Sequence, residues 1–227
     1  MTGYDNDVKI AGDYNGAEDF LDIQLDIEKL MLTSLEPFAF GYLNNMTGHL
    51  EGGISISGKT EAPVVIGNIL FRDAEANVPL LNSVFSLRNE RIRFLKDGMH
   101  FDEFTLTDAN GKTAVLNGAM LTKNWIDYRF NMDFEANDFR VINSTRRNNK
   151  LFYGTLFLDS KVRFRGDTDR PDISASFRAN AKTNLTMVMP QTSPEVAERE
   201  GVVEFFDADS PDADSLFAIK VDSLNTT

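Results

Sequence analysis

Hydrophobic and polar residues alternate with a period of two along most of the chain, and this pattern predicts half-buried β-strands. In one stretch, Tyr128, Phe130, Met132 and Phe134 share a face, and Arg129, Asn131, Asp133 and Glu135 share the other. In a second stretch, Leu158, Val162 and Phe164 face one way, and Lys161, Arg163 and Arg165 face the other. We therefore expect a mainly β fold, an elongated antiparallel-rich sheet of short strands joined by tight turns.

Turn residues predict how some of these strands are connected. The segment SVFSLRNERIRFL reads as a hairpin that reverses near Asn89, and LTDANGKTAVL reads as another. In the second hairpin, Asn110 and Gly111 would supply the two positive φ angles of a tight turn. Helical signals are confined to residues 35–42, where Pro37 limits any helix to a turn or two, and to residues 193–201, where SPEVAEREG carries a serine N-cap and a terminal glycine.

One strand–turn–strand unit occurs twice, as GKTEAP and as GDTDRP, each between alternating stretches. The shared turn positions are Gly58, Thr60 and Pro63 in the first unit and Gly166, Thr168 and Pro171 in the second. Repetition of such a unit favours an extended sheet.

The first unit overlaps GISISGKT, which matches the P-loop pattern G-x-x-x-x-G-K-[ST]. A working P-loop needs a flexible loop before the lysine and a helix after it. Here the loop interior alternates Ile and Ser, and Pro63 follows with β-branched residues. We interpret Ile54 and Ile56 as inward-facing strand positions and Lys59 as incidental.

The acidic composition excludes several classes of partner. The 227-residue chain has a net charge of −12, which opposes binding to nucleic acid and to anionic lipid headgroups. It does not oppose the binding of acyl chains in an apolar cavity. Cysteine is absent, so disulfides and thiolate chemistry are excluded.

The termini suggest a piece of a longer protein. The sequence begins without a signal peptide and has no apolar run of membrane-spanning length. It ends in an acidic, Pro-interrupted stretch followed by the strand-like run LFAIKV. We expect a segment cut from a longer exported chain.

No catalytic or metal-binding constellation emerges from the polar residues. The two histidines, His49 and His100, are far apart in the sequence and in unlike contexts. Asp102, Glu103 and Asp108 lack the spacing of a Ca²⁺ loop, and DADSPDAD is typical of a disordered linker. We predict no enzymatic activity, no cofactor and no metal.

The most distinctive feature that remains is the apolar side of the predicted sheet. Its members are Ile54, Ile56, Phe85, Leu87, Ile92, Phe94, Phe130, Met132, Phe134, Leu158, Val162, Phe164 and Phe177. In a closed sandwich these side chains would be ordinary core. In an open, curved sheet they would line a groove for acyl chains or unfolded polypeptide.

An ordered set of short motifs resembles a known family. The chain carries LEPF at residues 35–38, GHLEG at residues 48–52, and then Gly58, Thr60, Pro63 and Gly67. Further on come DANGKTAVLNGAM, YGTLFLDSKVRFRGDTDRPDISASF, NLTMVMP and EGVVEFFD. Together they resemble the C-terminal repeat region of the TamB family, relatives of AsmA-like proteins, in the form found in Bacteroidetes-type bacteria. Lys59 departs from the family pattern, in which Gly is followed directly by Thr.

The resemblance implies a fold and a function. TamB-like proteins form a sheet bent lengthwise like a taco, with an apolar interior. They are anchored in the inner membrane by an N-terminal helix, which would lie upstream of this chain, and they cross the periplasm to an outer-membrane barrel of the BamA superfamily, a TamA-like partner. They are implicated in outer-membrane protein assembly and phospholipid passage, so the groove would shield lipid acyl chains or unfolded outer-membrane proteins.

This interpretation gives three regions: leading strands with a short helical turn over residues 1–47, the β-groove over residues 48–206, and an acidic linker with a truncated strand over residues 207–227. Cut sheet edges could also pair two copies of the fragment. The alternative is a closed β-sandwich that acts as an adhesin or carbohydrate-binding module, with Trp125 stacking on sugars.

Overall fold

The computed structural model describes residues 2–3 and 5–189, and in this part of the chain it forms one 13-stranded sheet with antiparallel pairings throughout. The strands are β1 (Thr2–Gly3), β2 (Asn6–Asn15), β3 (Phe20–Met31), β4 (Asn44–Lys59), β5 (Val64–Val78), β6 (Ser83–Leu87), β7 (Arg91–Leu95), β8 (Gly98–Asp108), β9 (Thr113–Thr122), β10 (Tyr128–Ser144), β11 (Phe152–Gly166), β12 (Pro171–Ala179) and β13 (Asn184–Met187). The predicted mainly β, antiparallel fold class is confirmed.

Nearly every strand pairs with the strands that precede and follow it in the sequence. This order is expected when strands are joined by short turns. The order across the sheet is β1-β2-β3-β4-β5-β6-β8-β9-β10-β11-β12. β7 also pairs with β5 and β8, and β13 pairs with β11. The sheet therefore grows one strand at a time along the chain.

The predicted hairpin around Asn89 is wrong. β6 pairs with residues 74–78 of β5, β7 pairs with residues 67–70 of the same strand, and the two do not pair with each other. They lie end to end between β5 and β8. Asn89, at φ 58°, sits in the interruption, which is held by a 2.8 Å bond from the Phe71 N–H to the Glu90 carbonyl.

The second predicted hairpin is confirmed, with a different turn. β8 and β9 pair up to Thr107 and Thr113, and the Gly111 N–H donates to the Asp108 carbonyl at 2.9 Å. Gly111 has a φ of 77°, whereas Asn110 is not among the positive-φ residues. A single left-handed glycine after the turn matches the three-residue hairpin loop rather than the two-residue one.

The short helix predicted within residues 35–42 is present as a 3₁₀ helix, Glu36–Ala39, and a second 3₁₀ helix, Leu32–Ser34, precedes it between β3 and β4. Pro37 lies in the first turn of Glu36–Ala39, and Phe40, at φ 49°, ends that helix. Leu32 packs with Met46 and Ala74 in a small buried cluster, which fixes the segment against the sheet.

Two other predictions fall partly beyond what the structure describes. The helix over residues 193–201 lies outside the described residues. The domain boundary at residues 47 and 48 falls inside β4, and the one at residues 206 and 207 lies outside the described part, so the division into regions stays a prediction.

Strand glycines and β-bulges bend this sheet. Gly52 and Gly118 have φ of 139° and 119° inside β4 and β9, where a Cβ would come within 2.1 Å of a neighbouring carbonyl oxygen. Bulges interrupt the register of β3, β5, β8 and β10, with Asp73, Glu103 and Asp138 in the left-handed region at three of them. Such features curve strands and increase twist.

Contacts between strands that are not neighbours show the curvature directly. The rings of Phe85 on β6 and Phe139 on β10 stack at 5.5 Å although β8 and β9 lie between those strands. Beside them, the Asn143 N–H donates to the Leu81 carbonyl at 3.1 Å. The central strands therefore bend towards the face that carries these phenylalanines.

Candidate functional site: the apolar face of the sheet

The antiparallel register brings apolar residues into continuous rows across the sheet. Directly paired residues point to the same face. One row crosses ten strands through Val8, Ile27, Gly52, Ile69, Ile92, Phe101, Gly118, Met132, Phe164 and Ile173. A second row runs through Ile10, Leu25, Ile54, Gly67, Phe94, Met99, Met120 and Phe130. We call this side of the sheet the apolar face.

The residues predicted to line a groove all lie on the apolar face. Besides those in the two rows, Phe134 is paired with Val162, and Ile56 with Val65. Phe85 and Leu87, opposite Ala76 and Ala74, Leu158, opposite Ala179, and Phe177, opposite Ser160, complete the set. The register thus gathers them, and their contact with a cargo stays a prediction.

Sequence reasoning missed several members of this face. Met99, Phe101 and Phe104 on β8 and Leu116 and Met120 on β9 belong to it by register. The alternation of GMHFDEFTL is broken by the bulge at Glu103, which shifts Phe104 back to the side of Phe101, and the two rings contact at 5.7 Å. Only a pattern search that allows one inserted residue would have found them.

The opposite face is polar and is bridged by ion pairs between strands. Arg165 donates to Asp133 at 2.8 Å, Lys161 lies 3.3 Å from Glu135, and Arg72 donates to Glu51 at 2.7 Å. Arg72, and secondarily His49, lower the pKa of Glu51 through hydrogen bonds. The sheet therefore presents two chemically distinct sides.

Most side chains on the apolar face are only half-buried. Val162 is buried, whereas the other predicted lining residues on β4 to β11 are intermediate. Exposure rises at the two outer strands, where Ile10 is 72% exposed and Tyr14 63% on β2, and Ile173 is 57% exposed and Phe177 63% on β12. A single sheet covers only one side of these residues, so much apolar surface remains available for contact.

An apolar cleft of about 290 Å³ opens on this face beneath the segment between β3 and β4. It is lined by Leu32, Leu43, Met46, Phe71, Ala74, Ala76, Val78, Phe85, Leu87 and Leu106 together with Glu75. Glu75 is exposed and alternates with two alanines of the lining, so its side chain points to the polar face. The same segment exposes three aromatic side chains, Phe38, Phe40 and Tyr42, at 71%, 84% and 78%.

Trp125 is engaged within the protein. Its indole N–H donates to the Pro63 carbonyl at 3.1 Å, and its ring lies 6.0 Å from that of Phe94. It is half-buried and ties the β9–β10 loop to the β4–β5 turn. The indole N–H is therefore already bonded within the protein, and the carbohydrate-binding alternative stays a prediction without support from this residue's hydrogen bonding.

The two repeated turn units occupy equivalent places. Gly58 lies near the end of β4 and Pro63 directly precedes β5, while Gly166 ends β11 and Pro171 begins β12. Their threonines tie each turn to another part of the sheet: the Thr60 hydroxyl donates to the Asp19 carboxylate at 2.7 Å, and the Thr168 hydroxyl donates to the Tyr128 carbonyl at 3.1 Å. The P-loop-like residues Gly53 to Lys59 belong to strand β4.

The polar residues weighed for chemistry are dispersed. His49 bonds to Glu51 at 3.1 Å and His100 to Asp97 at 2.9 Å, and the His100 bond lowers the pKa of Asp97. Asp102 pairs with Arg93, whereas Asp108 is buried and accepts backbone N–H groups. In the described residues, no group of three His, Asp or Glu side chains could hold a metal ion.

Comparison with known proteins identifies a family. None of the helices in the described residues is long and apolar enough to span a membrane. No curated protein and no solved structure gives a match to this sequence. A family model, the TamB C-terminal domain, matches residues 102–226, more than half of the chain. The matched region begins within β8 and includes β9 to β13, which carry part of the apolar face described above, and the chain belongs to the TamB C-terminal domain family.

Proposed function

We propose that this chain is a non-enzymatic periplasmic segment of a TamB-like envelope protein. In this proposal its apolar face shields lipid acyl chains or nascent outer-membrane proteins from water during transfer between the inner and outer membranes. The family acts in envelope biogenesis. The cargo and the route are our extension from the geometry of the sheet.

The observation that carries the proposal is the continuous row of apolar residues across ten strands. A row perpendicular to the strands gives an apolar strip along the length of the sheet. A cargo could move along such a strip without leaving apolar contact, which isolated pockets would not allow.

Partial burial of the strip supports this use. Burying apolar area stabilises by roughly 25 cal/mol per Å², so half-exposed side chains retain part of that gain for a ligand. The strip offers no directional bonds, since its side chains are almost all hydrocarbon. Binding of this kind holds many related chains weakly, as transfer requires, and no residue needs to react.

The surrounding machinery follows from the same proposal. The segment would belong to a protein anchored in the inner membrane outside this chain. Its partner would be a TamA-like barrel of the BamA superfamily in the outer membrane. The acidic balance of the chain, net −12, would keep it from adhering to anionic headgroups while its apolar face holds their acyl chains.

Site-specific photocrosslinking in cells tests the proposal. A photoreactive residue at position 130 or 164 replaces a phenylalanine of the apolar face, and the matched controls at positions 129 and 163 replace the neighbouring arginines of the polar face. We expect lipid or outer-membrane-protein adducts from the first pair only. Equal adduct yields from both pairs would contradict the proposal.

A further inference from the structure

Most links between strands lie at one or the other end of the strands, and the two ends differ in charge. The first end has the links 16–19, 60–63, 96–97, 123–127 and 167–170. The second end has Asp5, between β1 and β2, and the links 32–43, 79–82, 109–112 and 145–151. The first set contains seven acidic and three basic residues, net −4, and the second contains two acidic and four basic residues, net +2. We call these two ends the acidic rim and the basic rim.

The basic rim also exposes large apolar side chains. They are Phe38, Phe40, Tyr42, Leu80 and Leu151. The three links that carry them join strands that are each paired on both sides, so their exposure does not come from an edge of the sheet. On the acidic rim, whose links are all described, one large apolar side chain is exposed, that of Ile126.

The curvature of the sheet brings these three links together. The Asn149 side chain donates to the Leu80 carbonyl at 3.3 Å, and the Asn82 side chain donates to the Asn143 carbonyl at 2.8 Å. The link 145–151 therefore lies beside the link 79–82, although β8 and β9 separate β6 from β10 in the sheet. The link 32–43 adjoins them across the apolar cleft, since its residues and those at the end of β5 line that cleft together.

Three cations stand beside these apolar side chains. Arg146, Arg147 and Lys150 are exposed, and with the other described residues none of their side chains forms an ion pair or a hydrogen bond. From residue 141 to residue 158 the sequence has no acidic residue. Unpaired cations next to exposed aromatic and aliphatic groups match the phosphates of a phospholipid surface and the hydrocarbon beneath them.

The link 32–43 is suited to enter such a surface. Residues 37–48 carry no charge, and the carboxylate of Glu36 accepts the Met46 N–H at 3.0 Å. Three backbone N–H groups of the link donate to carbonyls within it at 2.8 to 2.9 Å, which lowers the cost of removing them from water. Phe40 adopts a φ of 49°, unusual for a bulky residue, while its ring is exposed. Contact with an apolar phase outside the protein accounts for a phenylalanine there.

We propose that the basic rim is the surface through which this segment contacts a phospholipid bilayer. The exposed apolar side chains enter the interface, and Arg146, Arg147 and Lys150 bind lipid phosphates. Charge sets the orientation, because phosphates attract the basic rim and repel the acidic rim. The net charge of −12 opposes contact through the rest of the surface. This contact requires no cargo on the apolar face, so it stands apart from the proposed transfer.

Cosedimentation of the full chain with phosphatidylcholine vesicles tests this contact. One variant combines Phe38→Ser, Phe40→Asn and Tyr42→Ser, in which asparagine suits the left-handed backbone. The other combines Arg146→Gln, Arg147→Gln and Lys150→Gln. All six side chains are exposed, so the fold tolerates the changes. We expect vesicle affinity to fall about tenfold in the first variant and about fivefold in the second.

The matched control combines Ile126→Ser and Lys123→Gln, which remove an exposed apolar side chain and an exposed cation from the acidic rim. We expect it to bind like the parent chain. Binding that survives in either rim variant, or that falls equally in the control, would overturn the proposal. The crosslinks expected from positions 130 and 164 would be unaffected by that result, so the two proposals fail separately.

A single fluorophore gives the orientation directly, because the chain has no cysteine. Tyr42→Cys places an environment-sensitive dye on the basic rim, and Ala17→Cys places the same dye on the acidic rim, both at exposed positions. With phosphatidylcholine vesicles we expect brighter, blue-shifted emission from position 42 and unchanged emission from position 17. Equal responses at the two positions, or no response at position 42, would also overturn the proposal.

Discussion

At the scale of single residues, the close approach of strands around certain glycines shapes the sheet. An ideal Cβ on Gly118 would lie 2.1 Å from the Asn131 carbonyl oxygen, in a backbone conformation at φ 119°. The contact is with backbone rather than with a flexible side chain, so neighbouring strands would have to separate. The glycines of the apolar rows thus permit curvature that no other residue would allow.

We therefore expect Gly118→Ala to destabilise the protein by about 2–5 kcal/mol, since it adds backbone strain to an overpacked contact. Gly16→Ala is the control, because it lies in the β2–β3 turn with only a Tyr14 side-chain atom at 3.6 Å from its Cβ. Urea unfolding followed by circular dichroism measures both. A change at Gly118 no larger than that at Gly16 would refute the role of the glycine in the bend.

Trp125 makes a second prediction at this scale. Trp125→Phe keeps an aromatic ring against Phe94 but removes the hydrogen bond to the Pro63 carbonyl. We expect a loss of about 1 kcal/mol in the free energy of unfolding, and a larger loss for Trp125→Ala, which also removes the ring contact. Equal effects of the two substitutions in thermal unfolding would show that the ring contact contributes nothing.

At the scale of elements, carboxylates that accept several hydrogen bonds hold turns and bulges between strands. Asp108 is 4% exposed, and its carboxylate accepts backbone N–H groups from Asn110 at 2.7 Å, Lys112 at 2.9 Å and Arg140 at 2.7 Å. It thereby joins the β8–β9 turn to β10 just after the bulge at Asp138. The role of Asp108 is therefore structural.

Asp108→Asn tests this task. An amide has one acceptor oxygen, so its NH₂ group would face at least one of the three backbone donors. We expect a loss of about 1–3 kcal/mol, the cost of a buried donor without a partner. Asp127→Asn is the matched control, since Asp127 is exposed and bonds to one side chain, Asn124. Denaturant midpoints should fall for the first variant and stay near the parent value for the second.

The bulge on β10 also makes a prediction about pH. The hydrogen bond from Lys182, at 2.5 Å, lowers the pKa of Asp138, with the Asn180 side chain and Lys112 adding to the effect. A lowered pKa stabilises the fold above the ordinary aspartate pKa of about 3.9, and this contribution is lost as the pH falls through the folded-state value.

Asp138→Asn isolates the charge, because asparagine tolerates the φ of 51° at this position. We expect it to unfold at lower urea concentration than the parent at neutral pH, with a difference that shrinks towards pH 3. A difference that stays constant with pH would exclude the charge as its cause.

The elements also show what the sequence can and cannot predict. The alternation of apolar and polar residues correctly predicts β10 and β11 and the face on which their side chains lie. Apolar residues of β10 pair directly with apolar residues of β11 there, as Met132 does with Phe164. The same alternation around Asn89 was misread, because a turn residue between two apolar stretches fits a hairpin and an in-line interruption equally well. The long partner strand β5 causes the interruption. It has a bulge at Asp73, and one short strand pairs with it on each side of that bulge, β7 with residues 67–70 and β6 with residues 74–78. The local sequence around Asn89 does not show this.

At the scale of the whole sheet, the apolar rows extend beyond the part that identifies the family. The family model begins at residue 102, yet β2 to β7 continue the same rows and the same polarity of faces. Directly paired residues lie on the same face of a sheet. The apolar positions of one strand therefore determine which residues of the next paired strand lie on the apolar face. The regular succession of hairpins is therefore sufficient to build a long apolar face from weakly similar sequences.

Growth by single strands also predicts an uneven stability. Central strands such as β4, β5, β10 and β11 are paired on both sides, and non-neighbouring contacts such as Phe85 with Phe139 support the middle of the sheet. Within the described residues, positions 9–15 of β2 and all of β12 pair on one side only, so these edges should open at lower free energy. In native-state hydrogen exchange of dilute protein, we expect the amides of residues 9–15 and 171–179 to exchange before those of the central strands. Uniform protection across the sheet would mean that it opens as a single unit.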